Sequence, residues 1–366
     1  MSIELINKTP YLATAWDYLN ANGEAYGVSL IRGCFLLKKD PDSEQWQLQK
    51  ADDQGEIFSQ DQFNGEPGKS SLQYETDYVS YKSGTDIIAN ATARTPKGVK
   101  KPFWGCGIKV TDGKGKTLIN KILRVSGKRI WKKNLVGWSL EDPVPCKEVK
   151  IRYENTYGGA AIKYDKNGEV VSIKKLNKYN PVGVGNIHYT DTSHAHIAPQ
   201  IESLDEPLGS ALDESKPHGF GFIARGWQPR LALAGTYDEK WLKEKHPLLP
   251  DDFNIEHNRS ASTGMALPYY LKGGEKIILK HFLFDDVLVS FKLPSYRFLS
   301  GLVLEDGGPL LQPLELDTVL LDIEHEDIEQ WRIYLSWRGQ HILPITATHL
   351  ELFGINEEEN KNEENI

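Results

Sequence analysis

The chain is predicted to be mainly β: antiparallel sheets in a sandwich or barrel-like arrangement, with a long irregular loop region and a few short helices. Three observations predict this. Several segments alternate with period two, among them Val287-Val289-Phe291, Val319-Leu321-Ile323 and Trp331-Ile333-Leu335-Trp337, the pattern of strands buried on one face. "AAIKYDKNGEVVSIKK" sets Asn167-Gly168 between two β-type runs, and that pair favours a type I′ turn whose twist matches paired strands. From Asn180 to about Ser262, by contrast, glycine, proline, histidine and aspartate dominate. A stretch this long without strands is either functional or packed over the core as an irregular layer.

Taken in order, "YGVSLIRGCFLLKK" is a strand bounded by Gly23 and by Asp40-Pro41, and "TDIIANATART" is a second one between Gly84 and Pro96. "FWGCGIKVTDGKGKTLINKILRVSGKRIWKK" reads as two strands around Asp112-Gly113, then a third element after Gly127. "EKIILKHFLFDDVLVSFKLP" and "DTVLLDIEHEDIEQWRIYLSWRG" each read as two strands around an acidic turn. One helix is expected in "AGTYDEKWLKEKHPLLPDDFN". Thr236 and Glu239 have capping-box spacing, Tyr237 and Trp241 share a face, and Pro247 stops the helix. It should run from Tyr237 to about Lys245, roughly two and a half turns. Pro250, Asp251 and Asp252 then turn the chain so that Phe253 tucks back. The pattern divides the chain into an antiparallel β region (1–172), an irregular segment followed by further antiparallel β (173–355), and an acidic tail (356–366) expected to be disordered.

The 366 residues carry a net charge of −8, and the tail alone holds five glutamates against one lysine. A nucleic-acid binder would show a basic face. The local candidates are Lys97, Lys100 and Lys101, then Lys128, Arg129, Lys132 and Lys133, with Trp104 and Trp131 nearby. Solvated edges and loops are the usual home of such lysines, so neither nucleic acid nor membrane is an expected partner. No run approaches the roughly 18 apolar residues of a span, and the N-terminus has no basic start followed by an apolar run. Cys34, Cys106 and Cys146 are scattered, which suggests reduced thiols in a cytoplasmic protein.

The sharpest metal candidate is "HYTDTSHAHIAP", with His188, Asp191, His194 and His196. His194 and His196 share one side of an extended chain, a spacing metal sites use, but a zinc site needs a further ligand, for which only His218 or His246 offer themselves. No metal or cofactor is expected. No G-x-S-x-G elbow is present. Asp251-Asp252 and Asp285-Asp286 are adjacent pairs that point apart on extended chain. "NPVGVG" and "HGFGF" lack phosphate-cradle spacing. An interaction protein is therefore expected rather than an enzyme; the alternatives are a β-scaffold hydrolase or carbohydrate-active enzyme and a structural component.

Several blocks resemble the domain-of-unknown-function family 2169. Gly219-Phe220-Gly221 is followed by Arg225, Trp227, Pro229 and Arg230, then by Ala234 to Asp238 with Trp241, then by Pro247, Pro250, Asp252 and Phe253. Upstream, "SLQYETDYVSYKSGTD", Gly127-Arg129-Trp131 in "RVSGKRIWKK", "YENTYGG" and "NPVGVG" are similar to further family blocks. "HYTDTSHAH" and "RSASTGMALPYY" depart from the family pattern. The resemblance implies a monomeric cytoplasmic adaptor or chaperone of the type VI secretion system. Such a protein binds a secreted effector, at its PAAR-bearing or N-terminal region, and helps place it on the spike of valine-glycine-repeat trimer and PAAR tip. The residues it marks for partner binding are Arg225, Trp227, Arg230, Tyr237, Asp238, Trp241, Asp252 and Phe253.

Overall fold

The computed structural model describes residues 4–43, 45–135, 137–165, 167, 169–188, 196–305, 307–344 and 346–354. The protein is mainly β, with 46% strand and 7% helix. The fifteen strands of its two large sheets are β1 (Glu4–Asn7), β2 (Leu12–Leu19), β3 (Ala25–Lys39), β4 (Trp46–Lys50), β5 (Asp86–Arg94), β6 (Phe103–Thr111), β7 (Thr117–Ser126), β8 (Glu148–Lys150), β9 (Ile201–Ser203), β10 (Lys276–Lys280), β11 (Val289–Lys292), β12 (Phe298–Leu304), β13 (Gly307–Ile323), β14 (Arg332–Ile342) and β15 (Ala347–Gly354).

Ten of these form one nearly closed, barrel-like sheet in the order β1-β15-β12-β13-β14-β3-β2. At its seam the Lys8 amide donates to the Leu352 carbonyl at 2.8 Å, and Asn7 Nδ2 to the Tyr11 carbonyl at 2.8 Å. Two long strands carry neighbours in succession along one edge. β3 pairs with β2 over Ala25–Arg32 and then with β4 over Phe35–Lys39. β13 pairs with β12 up to Leu314 and then, from Thr318, with β5 in parallel, while β14 lies on its other edge. β8 extends the sheet beyond β5.

The second sheet, β9-β7-β6-β10-β11, is antiparallel. It shares one apolar core with β3, β5, β13 and β14. Ile87, Ala89, Ala91 and Ala93 from β5 belong to that core with Cys106, Ile108 and Val110 from β6 and Ile277 and Leu279 from β10. Val319, Leu321, Ile323, Trp331, Ile333, Leu335 and Trp337 are all buried in it, as their alternation predicts. Burial of each such side chain stabilises the fold by about 1.5–3 kcal/mol. The hairpin around Asn167 forms between Ala160–Tyr164 and Val170–Leu176. Asp165 Oδ1 accepts the Asn167 amide at 2.8 Å and the Glu169 amide at 2.9 Å.

Some expectations need correction. Val287 lies outside β11 and is 55% exposed, so only Val289 and Phe291 of that alternation face the core. β13 begins at Gly307, ahead of the Asp317 start of the predicted pair, through a stretch containing Pro309 and Pro313. The helix is shorter: α1 spans Glu239–Glu244, and its N-cap is Asp238, whose side chain accepts the Trp241 amide, in place of Thr236. Strands from both sides of residue 172 share one sheet, since β5 lies on β13 and β3 on β14. Cys34 and Cys106 are buried and Cys146 is half-buried, and all three are free thiols, in keeping with the scattered positions. The acidic tail lies outside the described residues. Among the described residues no helix is long and apolar enough to cross a membrane.

Candidate functional site

Between β9 and β10 the chain makes no further strand of the large sheets. It passes beside β5, where the Ala89 amide donates to the Phe220 carbonyl at 2.9 Å. Phe222 packs with Leu72, Ile88 and Leu320. Beneath this layer lies a seam of buried ion pairs. Arg32 Nη1 donates to both oxygens of Asp77 at 2.7 Å, and Arg338 Nε to Asp317 Oδ2 at 2.5 Å. Arg259 Nε donates to Asp86 Oδ1 at 2.7 Å, and Lys82 stands 3.3 Å from the other Asp86 oxygen. Glu75 Oε1 receives Arg230 Nη2 at 2.8 Å and Arg225 Nε at 2.9 Å. Burial alone would raise the Glu75 pKa, but Arg230, Arg225 and Lys82 outweigh it and hold the carboxyl below the usual range.

The motif blocks converge on this seam and its supports. Ser71 is held to Glu154 through its amide at 2.7 Å and its hydroxyl at 2.8 Å. Tyr74 Oη donates to Asp322 at 2.5 Å. Asn180 is fully buried and its Nδ2 donates to the carbonyls of Tyr153 and Tyr157 at 2.8 and 3.1 Å. Gly159 has φ +79, and a Cβ there would lie 2.2 Å from the Gly183 carbonyl oxygen, so the "YGG" and "NPVGVG" blocks lock together only without a side chain.

From this frame a knob projects, running from Ala234 to Phe253. Its base is closed by the Asn254 amide donating to the Leu233 carbonyl at 3.0 Å. Asp252 takes the Thr236 amide on Oδ1 at 2.8 Å and the Thr236 hydroxyl on Oδ2 at 2.7 Å. The first of these bonds does most to lower the Asp252 pKa. Gly235 has φ +84, and a Cβ there would meet Pro250 at 2.9 Å and Asp252 at 3.1 Å. Next to Thr236, Tyr237 is 54% exposed and sits edge-on to Trp241 at 4.7 Å. Trp241 is half-buried, and its Nε1 donates to the Leu248 carbonyl at 2.9 Å. Asp238, Trp241, Lys245, Pro250 and Asp252 border a hollow of about 220 Å³ beside the helix.

The eight residues marked by the sequence therefore divide. Tyr237, Asp238 and Asp252 are exposed on the knob, and Trp241 and Phe253 are half-buried there. Arg225 lies at the rim with its side chain 38% exposed. Trp227 is buried and packed edge-on against Tyr153 at 5.5 Å, and Arg230 is buried on Glu75; neither presents a contact surface. Sequence reasoning did not single out Glu75, Arg32, Arg259, Arg338 or Asp317. The signal was present for Glu75 alone, one position after Tyr74 in a recognised block.

The other candidates also find places. Trp104 and Trp131 are buried, so neither offers a stacking face, and Arg129 is a buried partner of Glu202 at 2.6 Å rather than a solvated cation. His188 is buried, and His196 packs edge-on to Trp138 at 5.3 Å. Asp191 and His194 lie outside the described residues. Among the described residues no group of three or more histidine, cysteine, aspartate or glutamate side chains could hold a metal ion.

No curated protein and no solved structure matches the chain. A family model described as "Uncharacterized protein conserved in bacteria (DUF2169)" matches residues 22–338. That span takes in β3 through most of β14, the ionic seam and the knob. The chain belongs to this bacterial DUF2169 family.

Proposed function

We propose that the protein is a non-catalytic adaptor that binds a secreted effector of the type VI secretion system and helps load it onto the spike. The observation that carries this reading is the knob. An exposed tyrosine paired edge-on with a tryptophan, beside a hollow and fixed at its base, offers the residue types that dominate interface energy. A loop of irregular structure on a rigid scaffold is where binding surfaces concentrate. The resemblance to family blocks supplies the partner class: the PAAR-bearing or N-terminal region of an effector.

The test is calorimetric titration of the protein with the effector encoded beside it, paired with thermal melts. Tyr237→Ala should leave the melting temperature within about a degree, because truncation of a half-exposed side chain costs within about 0.5 kcal/mol. It should weaken binding by roughly 2 kcal/mol, about thirtyfold. Folded Tyr237→Ala and Trp241→Ala proteins that bind like wild type would remove the knob from the interface. A wild-type protein that captures neither effector nor spike component would remove the adaptor reading.

A further inference from the structure

The ionic seam carries a charge imbalance. Among the described residues its buried cations are Arg32, Lys82, Arg230, Arg259 and Arg338, each at most 8% exposed. Its buried anions are Glu75, Asp77, Asp86 and Asp317, likewise at most 8% exposed. Five against four leaves one positive charge without a buried counter-charge. Arg225 and Glu256 flank the seam with side chains 38% and 45% exposed, so they cancel one another and are screened by water. A net surplus of buried charge is strongly unfavourable, which favours a compensating group.

The place for that group is a cavity of about 20 Å³ whose wall carries three cations, Arg32, Lys82 and Arg338, against two carboxylates, Glu75 and Asp77, together with the Ser260 hydroxyl. It has room for one water-sized sphere, for which about 10–15 Å³ suffices. Its wall offers donors. Arg32 spends Nη1 on Asp77, while its Nε and Nη2 have no hydrogen-bond partner among the described residues; nor does the hydroxyl of Ser260, which is fully buried. The flat faces of Arg32 are covered by Phe58 at 4.4 Å and Tyr334 at 4.6 Å, so only the edge of its guanidinium remains for a ligand. The carboxylates in the wall are occupied: Asp77 by Arg32 and the Phe58 amide, Glu75 by Arg230 and Arg225.

We infer that this cavity binds a single small monovalent anion, of the halide class, held by Arg32 and the Ser260 hydroxyl. One negative charge cancels the surplus, and only a compact ion suits so small a space. A water molecule would satisfy the donors but leave the charge.

The probe is bromide. In crystals grown with sodium bromide, an anomalous difference peak should lie in the cavity beside Arg32 and Ser260. In solution, the melting temperature should rise saturably with sodium chloride or bromide, and not with sodium gluconate at equal ionic strength. Ser260→Ala should move the midpoint of the chloride response about tenfold higher, equivalent to about 1.4 kcal/mol for one lost hydrogen bond. Arg32→Met, nearly isosteric, should abolish the response. No bromide peak, or melting that follows ionic strength alone in wild type, means an internal water only and overturns the inference. A Ser260→Ala midpoint equal to wild type overturns the assignment of the hydroxyl. Should Arg32→Met fail to fold, the wild-type bromide map and Ser260→Ala still decide.

Discussion

Thr236 and Asp252 hold each other twice across the base of the knob, amide to one carboxylate oxygen at 2.8 Å and hydroxyl to the other at 2.7 Å. The pair joins the start of the projecting segment to its end, so the helix between them is fixed by its flanks. A six-residue helix has too few internal hydrogen bonds to persist alone. Replacing Asp252 by alanine should therefore loosen the knob while the sheets stay intact. Amide exchange at Thr236 and across α1 should speed up, with the global melting temperature nearly unchanged. Exchange rates equal to wild type would show that the packing of Trp241 and Phe253 suffices.

Arg230 gives the opposite expectation. It is buried, with its guanidinium on Glu75, on the His257 carbonyl at 2.9 Å and on the Ile223 carbonyl at 2.5 Å. Arg230→Ala leaves Glu75 without its nearest cation and should cost about 3–5 kcal/mol. Chemical denaturation measures this directly. A loss below about 1 kcal/mol would mean that Arg225 and Lys82 hold Glu75 without help.

Glu75 also sets an acid limit. Its pKa in the folded protein lies below the ordinary value of 4.5. The unfolded chain thus takes up the proton first, and stability from this group is fully present above about pH 4.5 and lost as pH falls through the folded value. Glu75→Gln should flatten the fall in stability below pH 4.5. An unchanged acid limb would assign it to other carboxylates.

Lys121 works at the other end of the scale. Its Nζ donates to Ser262 Oγ at 2.9 Å and the Thr263 carbonyl at 2.7 Å, and burial brings its pKa down to about 7. Here the folded state holds the proton less tightly than the unfolded one. The penalty is complete below about pH 7 and is relieved as pH rises towards 10.5. Lys121→Met should remove a rising contribution to stability between those values. Parallel wild-type and Lys121→Met stability curves from pH 7 to 10 would refute this.

What was legible in the sequence follows from local physics. Alternation in Val319–Ile323 and Trp331–Trp337, and the Asn167 turn, encode strand and face directly, and the structure pairs them accordingly. The parallel seating of β5 on β13 has no local signature, because β5 is buried on both faces and parallel partners lie far apart in sequence. The first half of β13 was hidden by Pro309 and Pro313, which an exposed stretch of strand tolerates better than a central one. The cap of α1 was misplaced since Thr236 and Asp238 both suit that role, and only the tertiary bond to Asp252 takes Thr236 away. Arg225 and Arg230 were marked and Glu75, Asp77, Lys82 and Asp86 lie in a recognised block, but their pairing was hidden for a similar reason: Arg32 and Asp77 become partners only once β3 is placed.

β3 and β13, of 15 and 17 residues, are the longest strands among the described residues, each lined on one edge by one neighbour and then another. They act as two continuous girders. Their successive neighbours cannot be separated without severing both strands. Neither set of neighbours can be excised as a module, and the chain should lose structure in a single transition. Fragments divided at residue 172 should stay unfolded apart and regain the fold on mixing, since each holds one girder: β3 in the first, β13 in the second.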